Sequence, residues 1–223
     1  MDWREHVREV EVEPSLYAAD FARLGEEVDV LLDTGARVFH WDVGDGHFVE
    51  PVTMGPIVLR AVAPRVRAQG GLVDCHLMVE NPARHVPQFA EAGADSVTVH
   101  VEVDWEPARA LARSRGLGFG LALNPDTPLE RVLPRAGELD LVLCMSVHPG
   151  YSGQRFIAAS VERAARLREL LPDRVRLQVD GGVGAENVGA LRQAGADLLV
   201  AASAIFGGGD PAAGYRALAS AVA

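Results

Sequence analysis

The stretch EAGADSVTVH at residues 91–100 reads as the last turn of a helix, a glycine that reverses the chain, and a strand of alternating β-branched residues. DTGARVFH at 33–40 and QAGADLLVA at 193–201 follow the same plan. Glycine suits the left-handed position that ends a helix, and a strand directly after it continues a parallel β/α unit. Beyond these three, short apolar runs near 10–16, 37–43, 71–77, 96–101, 117–123, 139–146, 174–180 and 197–201 alternate with longer amphipathic runs. The spacing of Phe21, Leu24, Val28 and Leu31, and of Val161, Ala164, Leu167 and Leu171, predicts helices between them. Eight such rounds in 223 residues predict a single α/β domain, 1–223, folded as a (β/α)8 TIM barrel with a parallel eight-stranded core. An open doubly wound sheet is the competing architecture, but no G-x-G-x-x-G follows the first strand.

Composition narrows the chemistry. Hydrophobic residues make up 48% of the chain, enough for a sizeable core. All 21 basic residues are Arg, so a Schiff-base lysine and a P-loop lysine are both excluded. The 31 acidic residues leave a net charge of −10, which argues against nucleic acid as a partner, because a phosphate backbone needs a basic stripe. No apolar run reaches the length of about eighteen residues that a membrane span requires. The opening MDWREHVREVEVEP is charged from its second residue, and the expectation is a cytoplasmic protein. Cys75 and Cys144 each sit in an apolar run and read as buried free thiols.

In a barrel of this kind the active site lies where strands end and their following loops begin. Strand 2 ends FHWDVGDG, which puts His40 and Asp42 on one face. Strand 3 ends at His76 in VDCHLM, and strand 7 ends at Asp180 in LQVDGG. Two His and two Asp gathered at strand ends form a candidate set for one divalent metal ion, with Zn, Mn and Fe all compatible with imidazole and carboxylate ligands. His6, His85 and His100 gain no such support and read as structural or exposed. The loops DGGVGAEN at 180–187 and AASAIFGGG at 201–209 follow strands 7 and 8, a recurrent phosphate-binding position in barrels. MSVHPGYSGQRF at 145–156 reads as a mobile covering loop.

These motifs, with PSLYAADFARLGEEV at 14–28, HWDVGDGHFV, VTMGP, DCHLMVENP, AGADSVTVHVE, LALNPDTPLE, QVDGGV and SAIF at 203–206, resemble the ribulose-phosphate 3-epimerase family nearly end to end. The resemblance implies interconversion of D-ribulose 5-phosphate and D-xylulose 5-phosphate by moving one proton at C3 through an enediolate. It implies that His40, Asp42, His76 and Asp180 bind the metal and that Asp42 and Asp180 double as acid and base. It places Ser15, Met78, Met145 and His148 against the substrate, and Gly150, Gly153, Gly181, Gly182, Ala202 and Ser203 around its phosphate. It also implies a homo-oligomer, a dimer or a hexamer.

Several positions depart from the family pattern. Gly44 stands where a methionine is usual, which predicts extra space over the reacting carbons. Ala202 replaces a glycine, Glu50-Pro51 replaces Pro-Asn, Ala18 replaces a serine, and His148 replaces an asparagine. Such changes around the sugar suit a paralogous 3-epimerase acting on another phosphorylated ketose, such as a hexulose 6-phosphate. A sugar-phosphate-binding barrel without catalysis is the remaining alternative, and retention of both aspartates weighs against it.

Overall fold

A computed structural model of the chain describes residue 3 and residues 7–223; His6 lies outside the described residues. Eight parallel strands alternate with helices: β1 Glu11–Pro14, β2 Val38–Gly44, β3 Leu72–Met78, β4 Ser96–His100, β5 Gly118–Leu123, β6 Leu141–Met145, β7 Arg176–Asp180 and β8 Leu198–Ala201. Each strand lies within about two residues of its sequence-based position. The ladder runs β1-β8-β7-β6-β5-β4-β3-β2, and a parallel bridge between Ser15 and His40 closes it between β1 and β2. The result is the TIM barrel that the alternation predicts.

The helices are α1 Leu24–Thr34, α2 Pro56–Ala68, α3 Pro82–Ala92, α4 Glu106–Ser114, α5 Ser160–Leu170, α6 Val188–Gln193, α7 Ser203–Phe206 and α8 Pro211–Val222. Gly93 ends α3 at φ 114°, and its amide donates to the Phe89 and Ala90 carbonyls, so the turn into β4 is the one its sequence announced. Between β5 and β6 there is no α-helix; the connection is built from two 3-10 segments, Leu129–Arg131 and Leu133–Glu138. Pro125, Pro128, Pro134 and Gly137 explain the difference, because they remove amide donors and favour turns over a continuous helix. Phe21 was expected on the first helix face but lies before it and is exposed.

The main core lies between strands and helices, where Phe39, Trp41, Phe89 and Phe119 are fully buried. A second cluster fills the barrel interior, with Val38, Leu141, Leu143 and Leu198, and Trp3 closes its lower end. Cys75 and Cys144 are buried free thiols, and burial raises the pKa of both. No helix among the described residues is long and apolar enough to cross a membrane.

Candidate active site

The strand register brings four predicted residues together. Cα of Asp42 on β2 is paired with His76 on β3, and Met145 on β6 with Asp180 on β7. One ligand atom from each of His40, Asp42, His76 and Asp180 lies within 4.8 Å of the others. His40 Nε2 is 3.3 Å from Asp42 Oδ1, while His76 Nδ1 is 3.1 Å from Asp42 Oδ1 and 3.8 Å from Asp180 Oδ2. Both His40 ring nitrogens are buried without a hydrogen-bond partner. Two imidazoles and two carboxylates converging on one spot, with His40 Nε2 unpartnered, are the donor set a divalent cation needs.

The two aspartates sit in different environments. Burial alone would raise the pKa of Asp42, but the His40 and His76 rings outweigh it and hold the carboxyl well below its usual range. Ser15 Oγ adds a 2.6 Å hydrogen bond to Asp42 Oδ2. Asp180 has no such hydroxyl, and burial together with the neighbouring Asp42 raises its pKa. His40 is lowered by burial, yet the carboxylates around it lift it well above the ordinary histidine value. The site thus holds one carboxylate kept ionised beside another that favours its proton.

A buried polar layer lies directly beneath. His40 Nδ1 is 3.6 Å from Glu13 Oε2 and 3.4 Å from Asp74 Oδ2. Gln178 Nε2 donates to both of those oxygens, at 2.6 and 2.8 Å, and Ser96 Oγ donates to Asp74 Oδ1 at 2.5 Å. Glu13, His40 and Asp74 have the composition of a second metal site. The oxygens facing His40 already accept N–H donors, so the group reads as a hydrogen-bonded support for the imidazole. Sequence reasoning missed this layer, because Glu13 in VEVEP reads as an ordinary exposed strand position.

It also missed His100 and Glu102. His100 Nε2 lies 2.8 Å from His76 Nε2, and His100 Nδ1 lies 3.1 Å from Glu102 Oε2. The available signal was positional: HVE at 100–102 follows the carboxyl end of β4, and HWD at 40–42 lies near that of β2.

Ser15, Asp42, Met78, Met145 and Asp180 line one pocket, whose outer wall is the 149–154 segment and whose far end is Gly181, Gly182, Ala202 and Ser203. Gly150 and Gly153 belong to that outer wall. His148 is placed elsewhere: its ring is exposed, with Nε2 3.6 Å from Asp126 Oδ2. The segment after β6 is tied to the loop after β2 by Tyr151 Oη, which donates to Glu50 Oε2 at 3.2 Å, and is braced within itself by Gln154 Nε2, which donates to the His148 and Tyr151 carbonyls.

The space expected at Gly44 does not exist. A Cβ there would press on the Pro51 carbonyl oxygen and lie 3.0 Å from Val49 Cγ2. Residues 45–53 fold back over the strand end, held by Gly44 N–H to Thr53 Oγ1 at 2.7 Å and by Thr53 N–H to the Gly44 carbonyl at 3.1 Å. The loop therefore occupies the room a side chain at position 44 would take.

Residues 11–206 match the model of the ribulose-phosphate 3 epimerase family. The chain belongs to that family. It is 41% identical over 220 residues to ribulose-phosphate 3-epimerase 2 of Cupriavidus necator, covering 95% of this chain and 90% of the relative. The ribulose-phosphate 3-epimerase of Bacillus subtilis is 40% identical over 207 residues, covering 90% and 94% of the two chains. Among solved structures, 3-hexulose-6-phosphate synthase from Salmonella typhimurium superposes with a TM-score of 0.75 at 16% identity, over 96% of this chain and 98% of that one. That likeness extends the barrel architecture beyond the ribulose-phosphate 3-epimerase family.

Proposed function

We propose that this family member is a metal-dependent ketose-phosphate 3-epimerase that interconverts D-ribulose 5-phosphate and D-xylulose 5-phosphate. The observation that carries the reading is the pairing of Asp42 and Asp180, two carboxylates lining one pocket, with the His40 and His76 imidazoles gathered against them. Inverting C3 requires a group that removes a proton and another that returns one. In one direction Asp42, kept ionised by His40, His76 and Ser15, takes the C3 proton, and Asp180 delivers its own to C3 from the other side. In the reverse direction the roles exchange.

His40, Asp42, His76 and Asp180 would hold one divalent ion; Zn, Mn and Fe suit this donor set. The ion would supply electrophilic stabilisation of the charge that develops on the substrate oxygens. Met78 and Met145 present an apolar cover to the sugar and keep water from the reacting carbons. Backbone around Gly150, Gly153, Gly181, Gly182, Ala202 and Ser203 holds the phosphate, and Ser15 positions Asp42. His148, outside the pocket, acts on the covering segment instead of on the sugar. A bulkier ketose loses its main support, because the loop 45–53 fills the room at Gly44.

The test is epimerisation of D-ribulose 5-phosphate by the purified protein in D₂O with added Zn²⁺, Mn²⁺ or Fe²⁺, followed by NMR. Deuterium at C3 together with xylulose 5-phosphate is the expected result. Absence of exchange with all three metals in a folded protein overturns the reading.

A further inference from the structure

With both imidazoles neutral, as burial favours, and a cation taking the lone pair of His76 Nδ1, the hydrogen count along His76, His100 and Glu102 has one solution. Glu102 Oε1 accepts from the Asn124 amide at 3.0 Å and from the Thr127 hydroxyl. Glu102 Oε2 faces His100 Nδ1 at 3.1 Å and can only accept, since an ionised carboxylate has no proton to give. His100 therefore carries its proton on Nδ1, and its Nε2 offers a lone pair. That lone pair lies 2.8 Å from His76 Nε2, a separation that requires one proton between the two nitrogens. His76 Nε2 supplies it. The remaining nitrogen, His76 Nδ1, is then free of its proton and faces Asp42 and Asp180.

Without the cation the same two protons can shift the other way, with His76 Nδ1 donating to Asp42 Oδ1 at 3.1 Å, so the contact with Glu102 decides which arrangement is held. The two rings are held in place: His76 and His100 are fully buried, they stack at 5.0 Å, and the Phe48 ring lies 4.6 Å from His100. We propose that Glu102, acting through His100, is a positioning residue that sets the His76 tautomer with Nδ1 open to the metal ion. The inference rests on the metal-binding reading of the site, but the proton positions can be read without any catalysis.

Glu102→Gln tests it with almost no change of shape. The Asn124 amide orients the new side chain with its oxygen inward, which turns an NH₂ toward His100 Nδ1. His100 must then move its proton to Nε2, and His76 must carry its own on Nδ1, where it opposes the ion. Zinc affinity, measured by competition with a chelating dye, is expected to fall 10- to 100-fold, in the range found when outer partners of ligating histidines are removed. In the same experiment ¹⁵N NMR of the wild-type imidazoles, metal-free and zinc-loaded, is expected to show His100 protonated on Nδ1 and not on Nε2. Wild-type zinc affinity in a folded Glu102→Gln protein overturns the proposal, and so does a proton on Nε2 of His100 in the wild type. If the wild type binds no zinc, Mn²⁺ or Fe²⁺, the metal reading itself fails, whereas the tautomer measurement still stands alone.

Discussion

Ser15 and Asp42 meet across the seam of the barrel, where the Ser15 hydroxyl donates to Asp42 Oδ2 at 2.6 Å. Ser15 follows β1, Asp42 lies in β2, and among the described residues the ladder contact that joins those strands is the bridge from Ser15 to His40. The same residue thus closes the sheet and holds the carboxylate. Ser15→Ala removes a hydrogen bond to a charged group, a contribution of about 1.5–3 kcal/mol. Steady-state kinetics on ribulose 5-phosphate should show kcat/KM lower by roughly 10- to 100-fold, with the backbone bridge kept and the melting temperature lower by several degrees.

Asp42→Asn and Asp180→Asn each leave the pocket shape intact but remove one of the two proton carriers. Turnover should fall by about 10²- to 10⁴-fold in each case. Near-normal epimerisation by either variant contradicts the two-aspartate mechanism.

Much of this architecture is legible in the sequence. The C-capping glycines located the strands, and the strand ends located His40, Asp42, His76 and Asp180, because period-2 side chains at the carboxyl end of a barrel strand share its mouth. What escaped were residues whose meaning depends on neighbours remote in sequence. Glu13, Asp74 and Gln178 come from β1, β3 and β7, so only closure of the barrel shows that they meet. His100 looks like a lone histidine until β3 and β4 pair. The loop after β2 escaped for a different reason: its path depends on Thr53 and Pro51 folding back on Gly44, which no periodicity encodes.

Glu13 is fully buried, and desolvation is the main cause that raises its pKa from 4.5 to about 7, with Asp74 adding to it and His40 opposing. A raised folded-state value favours the folded protein at low pH. Glu13 therefore contributes full stability below about pH 4.5, and the contribution is lost as pH rises toward 7. Its size is on the order of 3 kcal/mol at most. In metal-free protein, urea unfolding of wild type and Glu13→Gln should show the wild type losing stability relative to the variant across that window. A constant difference between the two from pH 4.5 to 7 excludes Glu13 as the titrating group.

Gly44→Met restores the side chain usual in the family but forces it against the Pro51 carbonyl and Val49. Overpacking of this kind costs about 1–3 kcal/mol. Thermal melting should register the loss, and KM for the sugar phosphate should rise because Val49 lies beside the covering segment, where a Cβ on Gly150 would be 3.5 Å from Val49 Cβ. An unchanged melting temperature contradicts the seating of the loop.

The contact between Gly44 and Pro51 also constrains how this protein can change over generations. A side chain gained at position 44 is harmful while the 45–53 loop keeps its path, and a new loop path leaves an empty seat while position 44 stays glycine. Neither step is neutral by itself. The two positions are therefore expected to vary together among close relatives, as a linked pair of substitutions, and a double exchange at 44 and 51 should be better tolerated than either single one.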